Sequence, residues 1–299
     1  MKFTGIMPAL VTPLHDDESI DVPVLHALLE HLLSLGADGF YIGGATGEGL
    51  CLTQQAREVL AEESVKYIAH RKPCIIHVAS TDFKEAIALA RQAERVGADA
   101  VSAIPPLFFP YDEADVYQYY KALADAVHIP VMIYFNPSAG FHITAKIAAH
   151  FFEIDNVTSI KWTNSDFFEM IRLKDMTHGE MNIINGSDEV LLMGLAAGAD
   201  GGIGTTYNFL LPCIKSIYDS FRAGDLKAAR ESQYLADRIM SPLFQYSLIP
   251  AVKAILERSG FAVGNAAFPM KRYTEEEKDK IFADMLAAGF TPEKTPQKS

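Results

Sequence analysis

The chain has 299 residues, 49% hydrophobic and 21% charged, which is enough apolar material for one large core. Its formal net charge of −12 argues against nucleic acid or an anionic membrane surface as a partner. No window approaches the roughly 18 uninterrupted apolar residues of a membrane span.

The opening run, MKFTGIMPALVTPLHDD, is too short and too proline-broken for a signal peptide. Cys51, Cys74 and Cys213 are odd in number, far apart and without a C-x-x-C pair. They are expected to be reduced, buried thiols of a cytoplasmic protein.

Short apolar runs then alternate with helical periodicity. Strand Gly5–Val11 leads to helix Val22–Leu35, Gly39–Gly43 to Gln54–His70, and Cys74–Ala79 to Phe83–Val96. Ala100–Ile104 leads to Asp112–Ala126, Val131–Phe135 to Ile143–Phe152, and Val157–Lys161 to Phe167–Met176. Asn182–Asn185 precedes Asp188–Ala197, and Gly201–Gly204 is the last strand. Asp21, Thr53, Asp82, Asp112 and Thr144 sit where helix N-caps belong.

Eight such units predict a (β/α)8 TIM barrel, with strands apolar enough to be buried on both faces. A doubly wound open sheet is the alternative, but no G-x-G-x-x-G follows the first strand. After Asn208 only helical patterns remain, at Leu210–Ala223, Asp225–Ile239, Leu248–Ser259 and Thr274–Ala288. The predicted division is a barrel over 1–223, a C-terminal helical extension over 224–290 and a disordered tail over 291–299.

One phrase occurs three times: Leu35-Gly-Ala-Asp-Gly-Phe40, Val96-Gly-Ala-Asp-Ala-Val101 and Ala197-Gly-Ala-Asp-Gly-Gly202. Each follows a helix and precedes a strand. The glycine suits the left-handed position that ends a helix, which marks a recurrent αβ junction.

Catalytic groups of a barrel sit at the carboxyl ends of its strands. The sixth strand ends on Lys161. A free lysine amine titrates near ~10.4, desolvation can bring a buried one to about 5–6, and a neutral amine attacks carbonyls. The alternative is a lysine that snorkels to solvent.

After the second strand, Gly43-Gly-Ala-Thr-Gly-Glu-Gly49 offers converging N–H groups and the Thr46 hydroxyl, a nest for a carboxylate or phosphate, or simply a tight turn. The fifth strand ends at Tyr134, whose hydroxyl is placed to reach the lysine on the neighbouring strand, or to serve only in packing. The seventh gives Gly186-Ser-Asp-Glu189 and the eighth Gly202-Ile-Gly-Thr-Thr-Tyr-Asn208. The nine histidines show no metal-ligand spacing, so no metal is expected.

Gly43–Glu48, Tyr134-Phe-Asn-Pro137, Ser159-Ile-Lys161, Asn185–Glu189 and Gly202–Asn208 together resemble the dihydrodipicolinate synthase/N-acetylneuraminate lyase family, in order and spacing, over nearly the whole chain. The resemblance implies a class I pyruvate aldolase with no cofactor beyond a covalent lysine imine. Lys161 would form the imine with the keto carbon of a 2-keto acid, and Tyr134 would pass protons at the aldol step. Thr46 and the amides of its turn, including that of Ala45, would grip the carboxylate. Homotetramers are usual in the family.

The synthase branch usually carries an arginine shortly after Tyr-x-x-Pro, and a loop tyrosine reached from a neighbouring subunit. Here Pro137-Ser-Ala-Gly140 holds no arginine, and the loop reads Pro105-Pro-Leu-Phe-Phe-Pro110. The lyase branch is closer. By that resemblance Asp188, Glu189 and Thr205 would contact the polyhydroxy tail of a sugar acid, and Thr163 and Gly186 the carbons near the scissile bond. Ala45 stands where the family usually has serine or threonine, Ser187 where lyases often carry a larger residue, and Phe135 where asparagine is typical. The reading is therefore cleavage of N-acetylneuraminate or a related 2-keto sugar acid. The alternatives are condensation of pyruvate with aspartate semialdehyde, or a catalytically weak keto-acid-binding homologue.

Overall fold

The computed structural model describes residues 2–293. Most of the expected tail lies outside the described residues. Eight short strands, β1 (Gly5–Pro8), β2 (Phe40–Ile42), β3 (Cys74–His77), β4 (Ala100–Ala103), β5 (Val131–Phe135), β6 (Val157–Trp162), β7 (Asn182–Asn185) and β8 (Gly201–Gly204), pair in parallel in the order β1-β8-β7-β6-β5-β4-β3-β2. The Leu10 N–H donates to Tyr41 O at 2.9 Å and Ala9 bridges to Tyr41, which closes β1 onto β2. The result is the expected (β/α)8 barrel, with helices α1 (Val22–Ser34), α2 (Gln54–Ile68), α3 (Phe83–Val96), α4 (Glu113–Ala124), α5 (Ala145–Phe152), α6 (Phe167–Met176), α7 (Leu191–Ala196) and α8 (Tyr207–Arg222) alternating with the strands.

The five expected caps all form: Asp21, Thr53, Asp82, Asp112 and Thr144 each accept a hydrogen bond from a first-turn backbone N–H. Two helices depart from expectation. The segment after β7 is a 3₁₀ turn, Asp188–Val190, that bends into α7 at Val190 (φ −133°, ψ 27°), not one continuous helix. Helix α8 starts earlier than Leu210, and its backbone breaks at that residue, two before Pro212.

The repeated phrase acts as a clamp at the strand starts. Gly36, Gly97 and Gly198 all have left-handed φ, between +88° and +104°. Each following aspartate then makes a reciprocal pair with the preceding strand. Asp38 accepts the Ile6 N–H at 2.9 Å and donates its own N–H to Ile6 O; Asp99 does the same with Cys74 and Asp200 with Ile183. Three of the strand pairs are thus bolted at the end away from the barrel mouth.

The chain continues through α9 (Leu226–Met240), a 3₁₀ turn at Ser241–Gln245, α10 (Leu248–Arg258) and α11 (Glu275–Ala287). Helix α9 packs along α8, and α10 also meets α8. Among the described residues no single helix is long and apolar enough to cross a membrane. Of the three thiols, Cys74 is buried and Cys213 half-buried, but Cys51 is exposed, contrary to expectation. It ends the short turn after the glycine-rich loop, on the rim and not in the packed interior.

Candidate active site

Parallel pairing of β5 with β6 sets Tyr134 beside Lys161 and Phe135 beside Trp162. Alternation across a strand turns the first pair into the barrel and the second outward, where the Phe135 and Trp162 rings meet edge to face. Lys161 is 5% exposed. The other buried cations have carboxylate partners: Lys253 lies 2.7 Å from Glu48, and Arg57 3.9 Å from Glu85. Lys161 has no such partner among the described residues. Its amine instead lies 4.0 Å from the ring centre of Tyr134 and 4.8 Å from that of Tyr41.

Three aromatic rings surround that amine. Tyr41, His77 and Tyr134 meet pairwise at 5.9–6.2 Å between centroids. Burial, helped by the nearby Arg57 and Lys161 charges, pushes His77 down to about 3, so the imidazole is neutral at physiological pH. Burial raises the Tyr41 phenol well above its ordinary range, although its bond to Ser102 opposes this. Burial acts the same way on Tyr134, but it is outweighed by the Lys161 charge and by the close polar groups of Asn136, Lys161 and Thr163. The Tyr134 phenol therefore lies below its ordinary value. Asn136 Nδ2 donates to the phenol oxygen at 3.4 Å.

The loop after β2 folds into two tight turns: Glu48 N–H donates to Ala45 O, and Gly49 N–H to Gly44 O, each at 3.1 Å. Gly49 must be glycine, because a Cβ there would collide with Gly43 O. The amides of Ala45 and Thr46 find no acceptor among the described residues, leaving donors available for an anion at the barrel mouth. The Thr46 hydroxyl is bonded to that of Thr205, at 2.7 Å.

After β7, Gly186 lies so close to Thr163 that a Cβ would strike the threonine hydroxyl. That hydroxyl is buried and makes no bond of good geometry among the described residues, although it lies near enough to Tyr134 to favour the phenolate. Asp188 is buried, and its Oδ2 accepts both the N–H and the hydroxyl of Thr206, at 2.8 and 2.7 Å. Burial raises its carboxyl to about 6, against the two Thr206 bonds. Glu189 is exposed, with no ion pair among the described residues.

One cavity of about 270 Å³ gathers all ten residues singled out from the sequence: Lys161, Tyr134, Ala45, Thr46, Thr163, Gly186, Ser187, Asp188, Glu189 and Thr205. Sequence reasoning missed Asn136 and Thr206, and it missed an apolar wall from the C-terminal extension: Met240, Leu243, Phe244, Leu248 and Ile249. Asn136 stood within a quoted motif, two residues after Tyr134, and so was open to detection. The wall carried no local signal. Phe244 is 77% exposed although large and apolar. Among the described residues no group of three His, Cys, Asp or Glu side chains is placed to hold a metal ion.

A family model described as the dihydrodipicolinate synthetase family matches residues 2–288. An N-acetylneuraminate lyase of Rhizobium meliloti is 32% identical over 277 residues, covering 93% of this chain and 92% of that protein. Among solved structures, the Proteus mirabilis N-acetylneuraminate lyase aligns with a TM-score of 0.92 at 29% identity, covering 97% of this chain and 100% of that one. A dihydrodipicolinate synthase from Bacillus anthracis aligns with a TM-score of 0.91 at 28% identity, covering 96% and 99%.

Proposed function

The chain belongs to the dihydrodipicolinate synthetase family, and on that premise we propose that it reversibly cleaves N-acetylneuraminate, or a closely related 2-keto sugar acid, to pyruvate and an aldehyde sugar through an imine on Lys161. It is a carbon–carbon lyase of the class I aldolase type, a class that works without a cofactor. The observation that carries the reading is a buried lysine with no carboxylate partner among the described residues, set in register beside a tyrosine whose phenol is held below its ordinary value.

The Lys161 amine adds to the C2 carbonyl, and loss of water gives the imine. The substrate carboxylate sits against the free amides of the Ala45–Thr46 turn. Tyr134, as phenolate, takes the proton of the C4 hydroxyl. The C3–C4 bond then breaks, its electron pair moves into the imine to give an enamine, and the aldehyde leaves. Protonation of the enamine at C3 returns the pyruvate imine, and water releases pyruvate. Thr163 borders the scissile bond across Gly186, and Ser187, Asp188, Glu189 and Thr205 receive the hydroxylated tail. The apolar side chains Met240, Leu243, Phe244 and Ile249 suit the methyl of an N-acyl group.

The second reading, condensation with aspartate semialdehyde, draws support from the likeness to the Bacillus anthracis synthase. Against it, among the described residues the lining of the cavity holds no arginine and no lysine besides Lys161, so a second substrate carboxylate finds no cation there. The test is incubation with N-acetylneuraminate and a coupled assay for pyruvate, run beside pyruvate with aspartate semialdehyde. Release of pyruvate in the first arm supports the proposal. Ring product in the second arm, with no pyruvate in the first, replaces it with the synthase reading.

A further inference from the structure

Glu48 closes the carboxylate-binding turn, yet it does not line the catalytic cavity. Its backbone is left-handed, φ +59°, which is uncommon for a residue with a side chain. Its carboxylate is fully enclosed and held from the far end of the chain. One oxygen lies 2.7 Å from Nζ of Lys253, and the other accepts the Ala267 N–H at 2.5 Å. Lys253 is 2% exposed and also donates to Asn265 O at 2.9 Å. Helix α10 therefore does two things at once: its start walls the cavity through Leu248 and Ile249, and its middle anchors the turn whose Ala45 and Thr46 line that cavity. A second tie, the Thr12 hydroxyl to Gly47 O at 2.6 Å, holds the turn from the β1 side.

Burying two opposite charges gains little over an apolar pair of similar volume, so stability alone gives no strong reason for such a pair in the interior. The geometry supplies another. A turn with a left-handed glutamate and two unpaired amides keeps its shape only while something over-determines it. Here the two carboxylate oxygens of Glu48 do so.

We infer that Glu48 and Lys253 are positioning residues for the keto-acid carboxylate: the pair fixes the Ala45 and Thr46 amides at the height of the Lys161 amine, and so makes the C-terminal extension part of the pyruvate site. The inference rests on the imine reading above and specifies how that site holds its acid group.

The experiment is borohydride trapping of pyruvate on the full-length protein, with the adduct at Lys161 measured by mass spectrometry as pyruvate is varied. The variants are Lys253→Met and the double variant Glu48→Gln with Lys253→Met, which removes both charges and leaves no unpaired one. The pyruvate concentration for half-maximal trapping rises roughly tenfold to a hundredfold, as for misplacements of the order of 1 Å, while saturating trapping approaches the wild-type extent. Lys253→Arg, which keeps the charge, restores part of the loss. A double variant that unfolds at lower temperature but traps with the wild-type pyruvate dependence overturns the inference and leaves the imine reading intact. Failure of the wild-type chain to trap pyruvate at Lys161 removes both.

Discussion

The hydroxyls of Thr46 and Thr205, on the loops after β2 and β8, lie 2.7 Å apart. One belongs to the turn proposed for the substrate carboxylate, the other to the group proposed for the sugar tail, so on that proposal a single hydrogen bond would couple the two ends of the ligand. Thr205→Val removes it and keeps the volume. A bond of this kind contributes about 0.5–1.5 kcal/mol net. The variant should therefore need about two to ten times more pyruvate for half-maximal trapping, with a matching rise in KM for the sugar acid. A rise for the sugar acid alone would show that Thr205 serves only the tail.

Lys161→Ala should abolish the trapped adduct. Tyr134→Phe should retain it, because the ring that flanks the amine survives, while kcat for cleavage falls by about 10²–10⁴-fold with the loss of the proton carrier. Mass spectrometry of the reduced adduct and steady-state kinetics read the two effects separately. Equal loss of adduct and turnover in Tyr134→Phe would assign the phenol to imine formation itself.

Asp188 supplies a pH signature. Burial holds its carboxyl at about 6 in the folded chain, against 3.8 for an ordinary aspartate. The folded state thus binds more protons than the unfolded one between those values, so this group's contribution to stability falls as pH rises through the window and is level above it. If Asp188 accepts bonds from the substrate hydroxyls as proposed, the ionised form is the better acceptor, so KM for the sugar acid should rise as pH falls below about 6. Asp188→Asn should flatten both profiles between pH 4 and 7, in thermal melts and in kinetics. An unchanged KM profile would remove Asp188 from the tail site.

The repeated Gly-Ala-Asp phrase leads to a stability prediction away from the site. Asp99→Ala deletes one charged acceptor from the start of β3 and should cost about 1–3 kcal/mol in urea unfolding. Asp200→Ala should cost more, since Asp200 also accepts from Asn182 at 2.8 Å and pairs with Lys174 at 3.0 Å. Equal costs would mean that the Asn182 and Lys174 contacts of Asp200 add nothing to the acceptor each aspartate offers its strand.

What the sequence disclosed here follows from what local patterns encode. Strand number, the αβ junctions and the caps are short-range signals, and the strand-end rule together with the family resemblance picked ten residues that line one cavity. Tyr41 and His77 escaped because a polar side chain inside a buried strand looks like packing until the barrel closes and shows which face is inward. Met240, Leu243 and Phe244 escaped for a different reason. Which side of α9 and its following turn meets the barrel mouth depends on long-range packing, and amphipathic periodicity does not name the partner. Glu48 was visible in the motif, but its tie to Lys253 spans most of the chain and has no local mark.

Gly186 tests how closely the lining of the cavity is fitted. Its Cα abuts Thr163, and a Cβ would meet both the hydroxyl and the Cα of that residue. The backbone has little room to yield, because the Gly186 N–H is bonded to Trp162 O and the Thr163 N–H to Phe135 O, both at 2.9 Å, continuing the strand ladders. Gly186→Ala should therefore displace Thr163 from the Tyr134 phenol and let that phenol's pKa rise, since Thr163 is one of the groups that lower it. Trapping of pyruvate should persist, because neither Lys161 nor the Ala45–Thr46 turn is touched. Cleavage should slow by about tenfold to a hundredfold, with its acid limb moved upward in pH, because the base then needs a higher pH to ionise. Slowing without that movement would assign the loss to steric exclusion of the sugar, and the link from Thr163 to the phenol would have no catalytic consequence.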